Sequence, residues 1–173
     1  MQINVAKTAQ ENLIDLIIDA NPGKSLAANQ FTAAAPAAIT PVGALNTSIV
    51  LSAVVGQGYG AGDVTFRYTR LPLTSGTAAP VDSVQVAQGD DQAASLTKVL
   101  TALGLLASEV DASDFTAPVD DAIPGEITLT PKASSVLYVG EAIIIELTLP
   151  AEVEPTLAET FTVTDLNGFE AAQ

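Results

Sequence analysis

The chain has no cysteine, no histidine and no tryptophan. Without cysteine it forms no disulfide framework and no thiolate metal site. Without histidine every Ser-His or Cys-His catalytic pairing is excluded. Aromatic residues make up 5% of the 173 positions, against 48% hydrophobic residues overall. A core must therefore be built mainly from Val, Ile, Leu and Ala. Basic residues are scarce as well: 6 Lys and Arg stand against 20 Asp and Glu, a formal net charge of −14. Such a surface repels nucleic acid, which is held by clustered Lys and Arg, and it disfavours anionic membranes. No run reaches the ~20 apolar residues that span a bilayer, and the opening MQINVAK leads into no secretory core. The expectation is a protein made in a cytoplasm that stays soluble or is carried out by something else.

Strand and turn signals dominate what is present. Residues Asn46–Leu73 read as two β-branched and aromatic runs around a loop holding Gly56, Gly58, Gly60 and Gly62. Val64, Phe66 and Tyr68 alternate with Thr65, Arg67 and Thr69, the period of a strand, so the pair predicts a hairpin. Before it, Thr8 and Glu11 have capping-box spacing. Leu13, Leu16, Ile17 and Ala20 then fall on one helical face, and Asn21-Pro22-Gly23 stops the helix. A second helix is predicted after Gly89-Asp90-Asp91, with Leu96, Val99, Leu100 and Leu103 as its stripe and Gly104 as its C-cap. Short strands are expected at Val84–Val86, Glu126–Lys132 and Glu141–Leu149, with Ile143, Ile145, Leu147 and Leu149 on one face. Phe161–Leu166 suggests a closing strand within 158–168. Residues 24–45 and the stretch EVDASDFTAPVDDAIPG read as connectors.

The two halves look alike at a spacing of about 80 residues. The helix stripes correspond, Gln30-Phe31-Thr32-Ala33 is echoed by Asp114-Phe115-Thr116-Ala117, and Tyr59 is answered by Tyr138. Repetition of one supersecondary unit implies two similar lobes. A lone hairpin is marginal in water, so the two are expected to share one core. The fold class is therefore α+β: a β-rich core with two amphipathic helices, arranged as two pseudo-repeated helix-plus-hairpin lobes over about 6–75 and 90–150 of a single domain spanning 1–173.

Three motifs invite chemistry and are outweighed. Gly56-x-Gly58-x-x-Ala61 with Asp82 downstream mimics a dinucleotide fingerprint, but a strand follows where the pyrophosphate needs a helix N-terminus. Ser95-x-x-Lys98 matches an acylating pair, yet its supporting elements are missing, and a solvated Ser and Lys is the simpler reading. Asp90-Asp91 and Asp120-Asp121, near Asp111 and Asp114, offer oxygen ligands without cation-loop spacing, and suit helix caps and loops better. No cofactor and no enzymatic activity are expected.

A gap in the charge is more informative. Residues 20–62 carry no acid at all. A buried strand and connector explain part of that gap; a contact face for another protein is the functional reading. The contact candidates are Leu26, Phe31, Pro36, Ile39, Pro41, Tyr59, Arg67 and Arg70. The two arginines are the only ones in the chain. They suit ion pairs, within the chain or across a subunit boundary.

The pieces Leu13–Asn21, Asn46-Thr47, Gly58–Leu73 (with VTFRYTRLPL), Leu96–Leu103 and Ile127–Leu149 together resemble a small duplicated domain of virion structural proteins of large tailed bacteriophages. The resemblance covers nearly the whole chain and rests on Gly, Tyr and hydrophobic positions. It implies assembly onto a particle, with the major capsid protein or other virion proteins as partners and self-association as a further contact. No catalytic residues come with it. A decoration protein on the outer capsid is the leading expectation. A tail, collar or baseplate accessory protein is the second, and a host-binding adhesin or small hydrolase is an outsider. The expected location is the virion, assembled in the host cytoplasm.

Overall fold

The computed structural model describes residues 2–76, 81–120 and 122–151. The strand expected at 158–168 lies outside the described residues. Helix α1 (Ala9–Ala20) starts at the predicted capping box. The Thr8 hydroxyl accepts from the Glu11 amide, and the Glu11 carboxylate accepts from the Thr8 amide. Those bonds hold the Glu11 carboxyl below the usual carboxylate range. Helix α2 (Gln92–Leu103) starts at Asp91, which accepts from the Ala94 amide, and ends on Gly104 at φ +62°. That left-handed turn is one glycine adopts without strain.

The buried faces differ from the expected stripes: in α1 Asn12 and Ile14 replace Leu16 and Ala20, and in α2 Ser95 replaces Leu96. Asn12 and Ser95, both polar, are fully buried, whereas Ala20 is exposed and Leu16 and Leu96 are half-buried. Asn12 is accommodated because its amide ties down the segment before the helix. It accepts from the Asn4 amide and donates to the Asn4 and Thr8 carbonyls. An ion pair braces each helix: Lys7 with Asp15, and Asp90 with Lys98, the signs exchanged between the two lobes.

Each lobe is a helix followed by an antiparallel meander, and the expected hairpins turn out to be parts of larger sheets. In the first lobe the central strand β3 (Leu45–Ala53) pairs on one side with β1 (Phe31–Ala33) and β2 (Ala37–Val42). Its other side takes β4 (Asp63–Tyr68). In the second lobe β7 (Gly125–Pro131) lies between β6 (Val110–Thr116) and β8 (Ile143–Thr148). β5 (Ser83–Gln85) adds parallel to the outer edge of β8. Both stretches read as connectors are thus edge strands. Alternation fails to announce them because little of them is buried: β2 holds one half-buried residue, Ile39, and β6 is broken by a bulge between Ser113 and Thr116, with Asp114 at φ +50°.

The repeat holds at the level of register. Phe31 opposes Ala53 as Val110 opposes Pro131. Ile49 opposes Phe66 as Ile127 opposes Ile145, and Thr47 opposes Tyr68 as Gly125 opposes Leu147. This pairing corrects one sequence echo. Phe31 corresponds to Val110, and both are buried, whereas Phe115 sits next to Thr116 at the far end of β6.

The interior also departs from a single shared core. One cluster gathers Leu13, Ile14, Ile17, Phe31, Ile49, Leu51 and Tyr68; the larger one is built around Val99, Ile127, Leu129, Tyr138 and Leu147, and half-buried Val136 packs against both. At roughly 1.5–3 kcal/mol per buried aliphatic side chain, each lobe supports its own sheet.

Gly125 fills the register place that Thr47 holds in the first lobe, because a side chain there has no room. A Cβ on Gly125 would lie 2.1 Å from the Thr116 carbonyl oxygen and 2.6 Å from the Pro118 nitrogen. Gly125→Ala is expected to lower stability by about 1–3 kcal/mol, the range for overpacking a tight site. Gly60→Ala, where nothing lies within 4 Å, should shift a urea midpoint far less. Equal midpoints for the two variants would refute the close approach.

Candidate interaction surface

The contact candidates separate into three groups. Leu26, Phe31 and Tyr59 come together in a groove of about 600 Å³ on the first lobe, also lined by Leu51, Val64 and Phe66. Phe31 forms its floor: it is 5% exposed and belongs to the lobe's core rather than to an outer face. Tyr59 stands at the rim, 46% exposed, with its hydroxyl donating to the Ser25 carbonyl at 2.8 Å. That bond ties the glycine loop to the segment after α1.

The second group, Pro36, Ile39 and Pro41, lies along β2 and just before it. Pro36 and Ile39 are half-buried, and Pro41 is exposed. The strand carries no charge. Proline on such an edge removes a ladder donor and blunts further pairing, so contact there falls to side chains. Val42 and Val55 are exposed nearby in sequence.

The arginines go opposite ways. Arg67 is exposed on β4. Arg70 is buried and makes no outer contact: its Nε donates to Thr47 Oγ1 at 2.9 Å and its Nη1 to the Ser135 carbonyl at 2.9 Å. It joins the lobes instead. The Leu71 amide donates to the Leu137 carbonyl, and the Val139 amide to the Leu71 carbonyl. Opposite Arg70, the buried Glu109 accepts from Ser135 Oγ and the Val136 amide, both at 2.7 Å. Neither Arg70 nor Glu109 forms an ion pair among the described residues; both charges hold the segment 135–137. Sequence reasoning missed Glu109, because it stands in a stretch whose acids looked solvated.

The motifs weighed for chemistry resolve locally. Ser95 is fully buried rather than solvated, and Lys98 is committed to Asp90. The Lys98 bond, with the Ala87 amide, holds the Asp90 carboxyl below the usual range. Asp91 caps α2, and Asp120 Oδ1 accepts from the Ala122 and Ile123 amides. The Gly56–Gly62 loop connects two strands. Among the described residues, no three His, Cys, Asp or Glu gather as a metal site.

Burial raises the Tyr68 phenol to about 12, with Arg70 drawing it back and Glu109 adding to the rise. The unfolded chain releases this proton near pH 10. Between about pH 10 and 12 the folded state therefore binds more protons than the unfolded one, and stability falls as pH rises. Chemical denaturation across that window should show the decline, and Tyr68→Phe should lessen it, with the remainder owed to Tyr138, whose phenol is also raised by burial. An unchanged slope in the variant would overturn the assignment. Separately, Glu109→Ala leaves the Ser135 hydroxyl and Val136 amide unsatisfied and is expected to cost about 1–3 kcal/mol, read from urea unfolding.

No curated protein and no solved structure matches the chain. A family model described as a family of unknown function, DUF7941, matches residues 2–172, and the chain belongs to that family.

Proposed function

We propose that this chain is a structural protein of a bacteriophage virion, acting as a decoration protein on the outer capsid through protein–protein contacts. The observation that carries the reading is the distribution of charge. In a chain of net charge −14, residues 20–62 hold no carboxylate. In the fold they supply β1, β2, β3 and much of the groove around Tyr59. The groove is lined mainly by apolar side chains, with Lys24 and Asp63 as its only charged residues among the described ones, and such a face on an acidic protein associates with little like-charge repulsion while the acidic remainder stays solvated. The sequence resemblance to virion structural domains supports the class of partner. The major capsid protein or a neighbouring virion protein would cover the groove, and a stable contact of this kind buries roughly 800 Å² on each side.

Separated heads and tails analysed by mass spectrometry test the location. Recovery with heads is the expected result. Recovery with tails moves the partner to a tail, collar or baseplate protein, and absence from both overturns the proposal. Purified chain added back to particles stripped of accessory proteins should bind. Tyr59→Asp together with Leu26→Asp should weaken that binding roughly tenfold or more, as loss of a central anchor does.

A further inference from the structure

The two lobes differ at one edge. In the second lobe β5 lies along β8, with Ser83 opposite Glu146, Val84 opposite Leu147 and Gln85 opposite Thr148. Val84 and Val86 drop into the core beside α2. β5 is not part of the second lobe's own meander. It belongs to the link that leaves β4 of the first lobe, so the link from one lobe completes the sheet of the next.

The first lobe has no such strand among the described residues: β4 pairs with β3 alone. Beside its outer edge runs a groove of about 390 Å³ between α1 and β4, lined by Leu13, Leu16, Ile17, Phe66 and Tyr68. Its lining includes Arg67 and no carboxylate. Because the two meanders share one register, Arg67 and Tyr68 occupy the places of Glu146 and Leu147, the residues that β5 pairs with.

The stretch that follows β8 repeats the link that follows β4. Leu71-Pro72 is matched, one position earlier in the repeat, by Leu149-Pro150. Val84 follows Tyr68 by 16 residues, and Val163 follows Leu147 by 16 residues. Each valine precedes a glycine by five positions, Gly89 and Gly168. Phe161 and Val163 alternate with Thr162 and Thr164, a strand pattern. Residues 152–173 carry five acids and no base, a charge that suits a groove with an arginine and no carboxylate.

We propose that the segment around Val163 of one copy adds as a parallel strand to β4 of a second copy, with Thr162 opposite Arg67 and Val163 opposite Tyr68. Copies then join head to tail as the two lobes join within one chain. The main-chain ladder supplies affinity, and the groove selects the apolar side chains. A head-to-tail contact that does not close on itself extends into an open row. The inference does not depend on the virion reading.

The natural absence of cysteine makes the test direct. An affinity-tagged Arg67→Cys chain is mixed with an untagged Thr162→Cys chain and mildly oxidised. A disulfide-linked dimer of tagged and untagged chains is expected, at least tenfold above the yield with Ser108→Cys in place of Thr162→Cys. In solution, the mass of the unmodified chain should rise with concentration above that of one copy. Val163→Asp should return it to one copy with the circular dichroism of the lobes unchanged. Three results would overturn the proposal: one-copy mass at every concentration, a mass indifferent to Val163→Asp, or a double variant that crosslinks only within a single chain.

Discussion

The arrangement of the lobes depends on how Ser135–Leu137 is held between two buried charges. Arg70 reaches it from the first lobe and Glu109 from the second. Taking a guanidinium and a carboxylate out of water costs several kcal/mol each unless hydrogen bonds replace the lost hydration. Here Arg70 donates to Thr47 and the Ser135 carbonyl, and Glu109 receives the Ser135 hydroxyl and the Val136 amide. The charges do not touch; the segment between them carries the connection. The backbone exchange at Leu71 then lies alongside, bonded to Leu137 and Val139. Hydrogen bonds of this kind are directional, so they set the angle between lobes in a way that the apolar contact at Val136 does not.

Around that clasp the two cores are largely independent. Each helix covers one meander, and the same strand register recurs in both. The differences between the lobes lie at the edges and loops. Gly125 replaces Thr47 where the chain at Thr116–Pro118 passes close, and Thr47 is then available to receive Arg70. One register position thus serves a close backbone crossing in one lobe and a charge anchor in the other.

Much of this was legible in the sequence. The capping box, the asparagine and glycine stops, the alternation in Val64–Tyr68 and the Ile143–Leu147 face all rest on local periodicity, and local periodicity survives into the fold. The edge strands were not legible. β1, β2 and β6 are held by backbone ladders, which are indifferent to side chains, and they bury too little for a pattern. Buried Glu109 was missed because its partner, Ser135, is distant in sequence. Asn12 and Ser95 were missed because apolar periodicity says nothing of a polar residue on the buried face, whether tied to nearby Asn4 and Thr8 or left without a partner among the described residues. Of the contact candidates, Arg70 looked like a surface residue because its partners, Thr47 in its own lobe and Ser135 in the other, lie 23 and 65 residues away. The phenylalanine echo misled because two short identical strings outweighed the register that only pairing reveals.

The exchanged ion pairs bear on how a chain with two similar halves avoids confusing them. Lys7 meets Asp15, and Asp90 meets Lys98. Each leader runs directly into its own helix, Lys7 before Ala9 and Asp90 before Gln92, so each pair closes locally, whereas a crossed pair closes a far longer loop. A crossed docking would set Lys7 against Lys98, or Asp90 against Asp15. Each surface pair contributes little by itself, but the correct and crossed arrangements differ by the attraction lost plus the repulsion gained, twice over. The reversed polarity of the two pairs thus adds like-charge repulsion to the loop-closure cost that already disfavours a crossed match.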